Sequence, residues 1–278
     1  ILLCIALAAA MLWCALSLIL RVGTYSGRTV GKDPVQEQTP VEPVDLEPTV
    51  PENSYDPAGF YEEGGFKRYK SDDTLASVGV DVSSHQQEID WELVAANGVE
   101  FAMIRVGYRG YTQGALREDS SFRTFVRGAR AAGIDVGAYF FSQAVTVQEA
   151  IMEADYVLGL LDGVPLDLPV YFDWEPVFAD DSRTASFDAS RLTNIAAAFC
   201  RVVEQGGCSA GIYLNRQQGY YQYDLSRLAD WSLWVADYND YPDFYYAFDM
   251  WQYSDSAALD GVPTQADLNF LFVPSPRG

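Results

Sequence analysis

Two carboxylates stand one residue apart at the end of an apolar run, in the segment LPVYFDWEP over positions 168–176. Residues i and i+2 of a β-strand share a face, so Asp173 and Glu175 point together, Trp174 points away, and Pro176 closes the strand. Paired carboxyl groups can divide labour, one kept protonated as a general acid and the other charged, which is the chemistry of acid-assisted hydrolysis. The plainer alternative is a solvated strand end with incidental acids. Against it, two acids at a buried strand end cost stability unless something uses them. Two further acids belong to strand-like segments: Asp81 in GVDVSSHQ (79–86), and Asp267 in ADLNF (266–270), where it shares a face with Asn269.

The elements that must position these acids can be read from position 78 onward. There, apolar strand-like runs alternate with helix-period segments, the pattern of α/β folds with parallel strands. Strands are predicted at 78–83, 101–108, 134–142, 168–175, 210–215, 233–238, 248–253 and 267–272, and eight suit a closed barrel. Helical spacing relates Phe122, Phe125, Val126 and Ala129, and likewise Val147, Ala150, Ile151, Ala154, Leu158 and Leu161 behind a Thr146/Glu149 capping box. Leu192, Ile195, Ala196 and Phe199 do the same before a Gly206–Gly207 stop. After Asn215 the helical signals fade, so the second half of the barrel is expected to be irregular. The carboxyl ends of parallel barrel strands form the site rim, and first and last strands are neighbours. Asp81 and Asp267 should therefore meet, facing Asp173 and Glu175 across the mouth, and crowding should push the four pKa values apart.

Composition narrows the partners. Acidic residues outnumber basic ones 39 to 18, a net charge of −21 over 278 residues. Such a field repels phosphate backbones, so nucleic acid is excluded as a partner. One histidine, His85, and four cysteines without a Cys-x-x-Cys pair cannot build a zinc finger, an iron–sulfur site or a multi-histidine centre, and neither metal nor cofactor is expected. His85 is expected to make a structural hydrogen bond. Aromatics, at 14%, are the abundant contact material and offer flat apolar faces. Tyr139, Tyr213 and Trp234, near the acidic rim, and Trp251, in the aromatic-rich final third, are the expected substrate contacts. Cys200 lies late in a helix and Cys208 just past its stop, so a disulfide between them is permitted outside the membrane.

Residues 1–20 are apolar apart from Ser17, long enough to span about 30 Å of hydrocarbon, and read as an uncleaved membrane anchor, with a secretion signal as the alternative. From 21 to 77 six prolines interleave with acids, the composition of an extended, disordered linker. The expected layout is thus a transmembrane helix (1–20), a linker (21–77) and a catalytic barrel (78–278), monomeric and facing outward from the cell membrane.

Taken together, GVDVSSHQ with IDW (89–91), FDWE (172–175), WVADY (234–238) and the ending WQYSDS…VPTQADLNFLF resemble glycoside hydrolase family 25, the Chalaropsis-type N-acetylmuramidases. The resemblance spans 78–275. It implies an irregular (β/α)5(β)3 TIM-like barrel that hydrolyses the β-1,4 bond between N-acetylmuramic acid and N-acetylglucosamine in peptidoglycan glycan strands. The family's acidic site residues map onto Asp81, Asp173, Glu175 and Asp267. One departure is visible, Gln87 where family members often carry glycine. On this reading Glu175 protonates the glycosidic oxygen, Asp173 stabilises charge at the anomeric carbon, and Asp81 and Asp267 hold substrate and tune the pair. Whether Asp173 attacks, steers the 2-acetamido group or positions water stays open. The alternatives are a related glycosidase acting on chitin-like glycans and a silent wall-binding barrel.

Overall fold

The computed structural model describes residues 50–71, 74–185 and 187–274. The expected anchor and the first part of the expected linker lie outside the described residues. Among the described residues no helix is long and apolar enough to cross a membrane.

The described chain opens with a hairpin of β1 (Phe60–Glu63) and β2 (Phe66–Tyr69). Then follow β3 (Thr74–Val82), α1 (Trp91–Ala96), β4 (Phe101–Arg109), β5 (Leu116–Glu118), α2 (Phe122–Ala131), β6 (Asp135–Ser142), α3 (Val147–Leu161) and β7 (Val170–Trp174). The rest is α4 (Leu192–Gln205), β8 (Ala210–Asn215), α5 (Arg216–Tyr221), β9 (Ser232–Ala236), β10 (Met250–Ala258) and β11 (Gln265–Pro274). All eight predicted strands are present. They close in the order β3-β4-β6-β7-β8-β9-β10-β11, with β11 pairing back onto β3 and β5 appended to β4. Five strand–helix units precede three strands that no α-helix separates; the fifth helix, α5, directly follows Asn215, so the helices stop one short element later than expected.

The barrel departs from an all-parallel one at its last strand. β11 runs antiparallel to both β10 and β3. The cause is the connection: residues 259–264 form a short turn, whereas a parallel neighbour needs a crossover of about a dozen residues or more.

Alternation along each strand divides the core in two. Val80, Ile104, Val136, Phe172, Ile212, Val235 and Phe270 face outward onto the helices or the N-terminal hairpin. Phe101, Met103, Tyr171, Tyr213, Trp234 and Met250 fill the barrel. Space for that filling comes from inward glycines. A Cβ on Gly79 would lie 2.3 Å from the Phe101 ring, and one on Gly211 2.4 Å from Tyr171.

Residues 50–71, expected as linker, are instead ordered against the barrel. Gly64 and Gly65, at φ 64° and 83°, supply the two left-handed positions of a tight hairpin turn. Phe60 meets the Trp251 ring edge-on at 5.4 Å, Tyr55 stacks on Phe272 at 3.8 Å, and Ala247 N–H donates to Pro51 O at 2.8 Å. Burial of these aromatics opposes the ordering cost that the composition of prolines and acids suggests.

Thr146 caps α3 as expected, accepting from Glu149 N–H at 3.2 Å. The Glu149 carboxylate reaches Val145 N–H at 2.8 Å and pairs with Arg183. Cys200 and Cys208 are free thiols, so the disulfide that the sequence permits is not formed; Cys200 is buried and its Sγ faces Gly211 O at 3.6 Å. His85 is exposed on a one-turn helix, contributing its backbone N–H to Ser83 Oγ at 3.3 Å. Gln87 follows at φ 61°, ψ −129°, a conformation open to glycine and strained for other residues. Gln87→Gly is therefore expected to raise unfolding free energy by about 1 kcal/mol, relief of strain exceeding the extra freedom of the unfolded chain. A urea midpoint at or below the parent's would show that the loop carries no such strain.

Candidate active site

The four acids converge at one barrel mouth. Asp81 sits near the end of β3, Asp173 near the end of β7, and Glu175 just past it. Asp267 lies near the start of β11, yet the reversal of that strand brings it to the same rim, directly opposite Asp81 in the ladder.

Asp81 is the best supported of the four. Its Oδ2 accepts from Gln252 Nε2 and Asn269 Nδ2, both at 2.8 Å. The far end of each amide is also held: Asn269 Oδ1 accepts from Trp234 Nε1 at 2.8 Å, and Gln252 Oε1 from the Tyr213 and Tyr238 hydroxyls at 2.9 Å. This fixes both amide groups with nitrogen toward Asp81. Burial raises the Asp81 pKa, and the amide bonds oppose the rise. Asp267 is pushed up to about 8 by burial and then by the charge on Asp81. At neutral pH it therefore holds a proton and donates it to Asp81.

Burial raises the catalytic candidates too. Asp173 is held well above the usual carboxylate range by burial, then by the charges of Glu175 and Asp81, with Arg105 opposing. Its Oδ1 is buried without a hydrogen-bond partner among the described residues. Glu175 is raised by burial and by Asp81, with the neighbouring Tyr213 hydroxyl opposing the rise.

Of the expected aromatic contacts, Tyr213 and Tyr139 stand at the acids, and Tyr139 meets Trp234 edge-on at 5.9 Å. Trp234 is 1% exposed and supports Asp81 through Asn269; it offers no face to a sugar. Trp251 is corrected outright. It is 0% exposed on the outer side of β10, its indole bonded to Asp237 O at 2.6 Å, because strand alternation turns Gln252 inward in its place. Residues not singled out in sequence complete the mouth. Arg105 projects inward beside Tyr139, paired with Asp119 at 2.8 Å, and Tyr238, 53% exposed, presents a ring at the rim.

Several raised carboxyls give the fold a pH dependence. Asp237, Glu153 and Asp267, at about 6, 7 and 8, hold protons that the unfolded chain releases above about pH 5. Their contribution is complete below that pH and is lost as pH rises through the folded values. Tm is expected to fall between about pH 5 and pH 8 in calorimetry; a flat or rising profile would contradict these assignments.

Two buried carboxyl groups at one barrel mouth are the kind of pair that glycosidic hydrolysis uses. The family model described as Glycosyl hydrolases family 25 matches residues 80–262, and the chain belongs to that family. It is 26% identical over 193 residues to the autolytic lysozyme of Clostridium acetobutylicum, covering 69% of this chain and 54% of that protein. The chain thus spans about half the length of that relative. The spore cortex lytic enzyme SleM of Clostridium perfringens superposes with a TM-score of 0.61 at 26% identity, over 70% of this chain and 67% of that one. The autolysin LytC of Streptococcus pneumoniae shares the fold, with a TM-score of 0.64 at 22% identity over 76% and 52% of the two chains.

Proposed function

We propose that this protein hydrolyses peptidoglycan, cutting the β-1,4 bond between N-acetylmuramic acid and N-acetylglucosamine. Glu175 gives its proton to the glycosidic oxygen, and Asp173 supports positive charge at the anomeric carbon. Asp81 and the protonated Asp267 maintain the field in which Glu175 keeps a proton. The observation that carries this reading is the placement of Asp173 and Glu175 together at the barrel mouth, with Asp81 and Asp267 paired on the same rim. Family membership and likeness to an autolytic lysozyme support it.

We also propose that the enzyme works tethered at the outer face of the cell membrane; this rests on the apolar composition of residues 1–20 and the Pro- and acid-rich segment after them. Mass spectrometry of peptidoglycan digested by the purified protein tests the chemistry. Fragments with muramic acid at the reducing end are expected. Fragments ending in N-acetylglucosamine, or cleavage confined to chitin oligomers, would overturn the reading.

A further inference from the structure

Glu175 stands where the sheet has run out. The pairing of β7 with β8 ends at Asp173–Tyr213 and that with β6 at Ser142–Trp174, so the peptide carrying the acid has no ladder beside it. Pro176 follows and brings no N–H of its own. The Trp174 and Glu175 carbonyls need donors from elsewhere, because a partly buried strand end with unmet carbonyls frays.

Both donors are side-chain amides. Gln143, just past β6, gives Nε2 to Glu175 O at 2.6 Å and to Ser142 O at 2.8 Å. Gln218, in α5, gives Nε2 to Trp174 O at 2.6 Å. Each amide is held in turn. Thr184 Oγ1 donates to Gln143 Oε1 at 3.2 Å, and Asn215 N–H donates to Gln218 Oε1 at 3.0 Å within the cap of α5. The Trp174 indole adds a third tie, to Ala144 O at 2.9 Å. At 0% and 2% exposed, neither glutamine reaches a bound glycan.

We infer that Gln143 and Gln218 are positioning residues, a two-sided clamp that continues the sheet beyond its last ladder and fixes the direction in which Glu175 presents its carboxyl. The inference rests on Glu175 acting as the acid. Such a clamp affects the chemical step, whereas hydrogen bonds that only stabilise the fold affect melting alone.

The test compares kcat and KM on peptidoglycan for Gln143→Met, Gln218→Met and Gln143→Asn, the last withdrawing the amide by one methylene should Gln143→Met fail to fold. Assays run where circular dichroism shows every variant folded. Thr193→Val is the control for stability loss, since buried Thr193 accepts from Asp224 N–H at 2.9 Å on α4. Expected for the clamp variants is a kcat about tenfold or more below the parent with KM within about twofold, and an unchanged kcat in the control. Folded clamp variants keeping kcat within about twofold, or losing only KM, would overturn the clamp. If the parent opens no glycan, the functional reading fails, and the clamp is judged by ¹³C NMR titration of the Glu175 carboxyl. A shifted midpoint in Gln218→Met supports it; superimposable titrations in parent and variant overturn it.

Discussion

Glu175→Gln is expected to lower peptidoglycan turnover by about a hundredfold or more while leaving glycan binding nearly intact. The acid must carry its proton before the bond breaks, and a free glutamate, with a pKa of about 4.3, would be almost wholly ionised near neutral pH. Here burial and the charge on Asp81 raise it, and the Tyr213 hydroxyl restrains the rise. Glutamine keeps the shape and has no acidic proton to give. Asp173→Asn should damage kcat comparably by removing the carboxyl group that the developing cation meets, whereas Asp267→Asn should be milder and move the pH profile. Release of reducing sugar, beside pull-down on purified wall, checks all three. Glu175→Gln activity within about threefold of the parent would remove Glu175 from the role of acid.

The largest stability effect should come from outside the barrel. Arg109 is buried with Glu153, Nε to Oε1 at 2.6 Å, and its other nitrogens donate to Gly114 O at 2.8 Å and Glu149 O at 3.0 Å. Ser142 Oγ serves the second oxygen of Glu153 at 2.6 Å. Arg109→Met should cost about 3–5 kcal/mol near pH 8, because it strands a buried carboxylate and two carbonyls. Burial already pushes Glu153 up to about 7. At about pH 5 it is protonated, and the penalty should shrink toward that of the carbonyls alone. Adding Glu153→Leu should recover most of the loss at pH 8. Urea unfolding at the two pH values decides it: an equal penalty at both would mean that the Glu153 charge is not its source.

Much of this architecture could be read in the chain. The eight strands announce themselves as apolar runs, and the spacing of Asp173 and Glu175 survives folding because β-alternation is a local rule. What escaped was set by direction and parity. The reversal of β11 depends on the length of a turn, and the inward turn of Gln252 depends on which face β10 gives to the barrel. A signal for the latter was available, a lone amide between Trp251 and Tyr253. Arg105, in phase with Phe101 and Met103, was another. The hairpin of β1 and β2 carries its own mark in FYEE-GG-FKRY, outvoted by the surrounding prolines and acids. Asp119 left none, since its role exists only once α2 and the first loop meet.

The reversed final strand also sets when the site comes into being. Asp81 emerges early in synthesis, but Asn269, which hydrogen-bonds it, follows 188 residues later on the strand that closes the ring. A chain arrested before β11 has neither this partner nor Asp267, and it leaves the edges of β3 and β10 bare. If the four acids act as proposed, their assembly is complete only when the circle is finished. Gain of the proposed activity during refolding would then report ring closure itself.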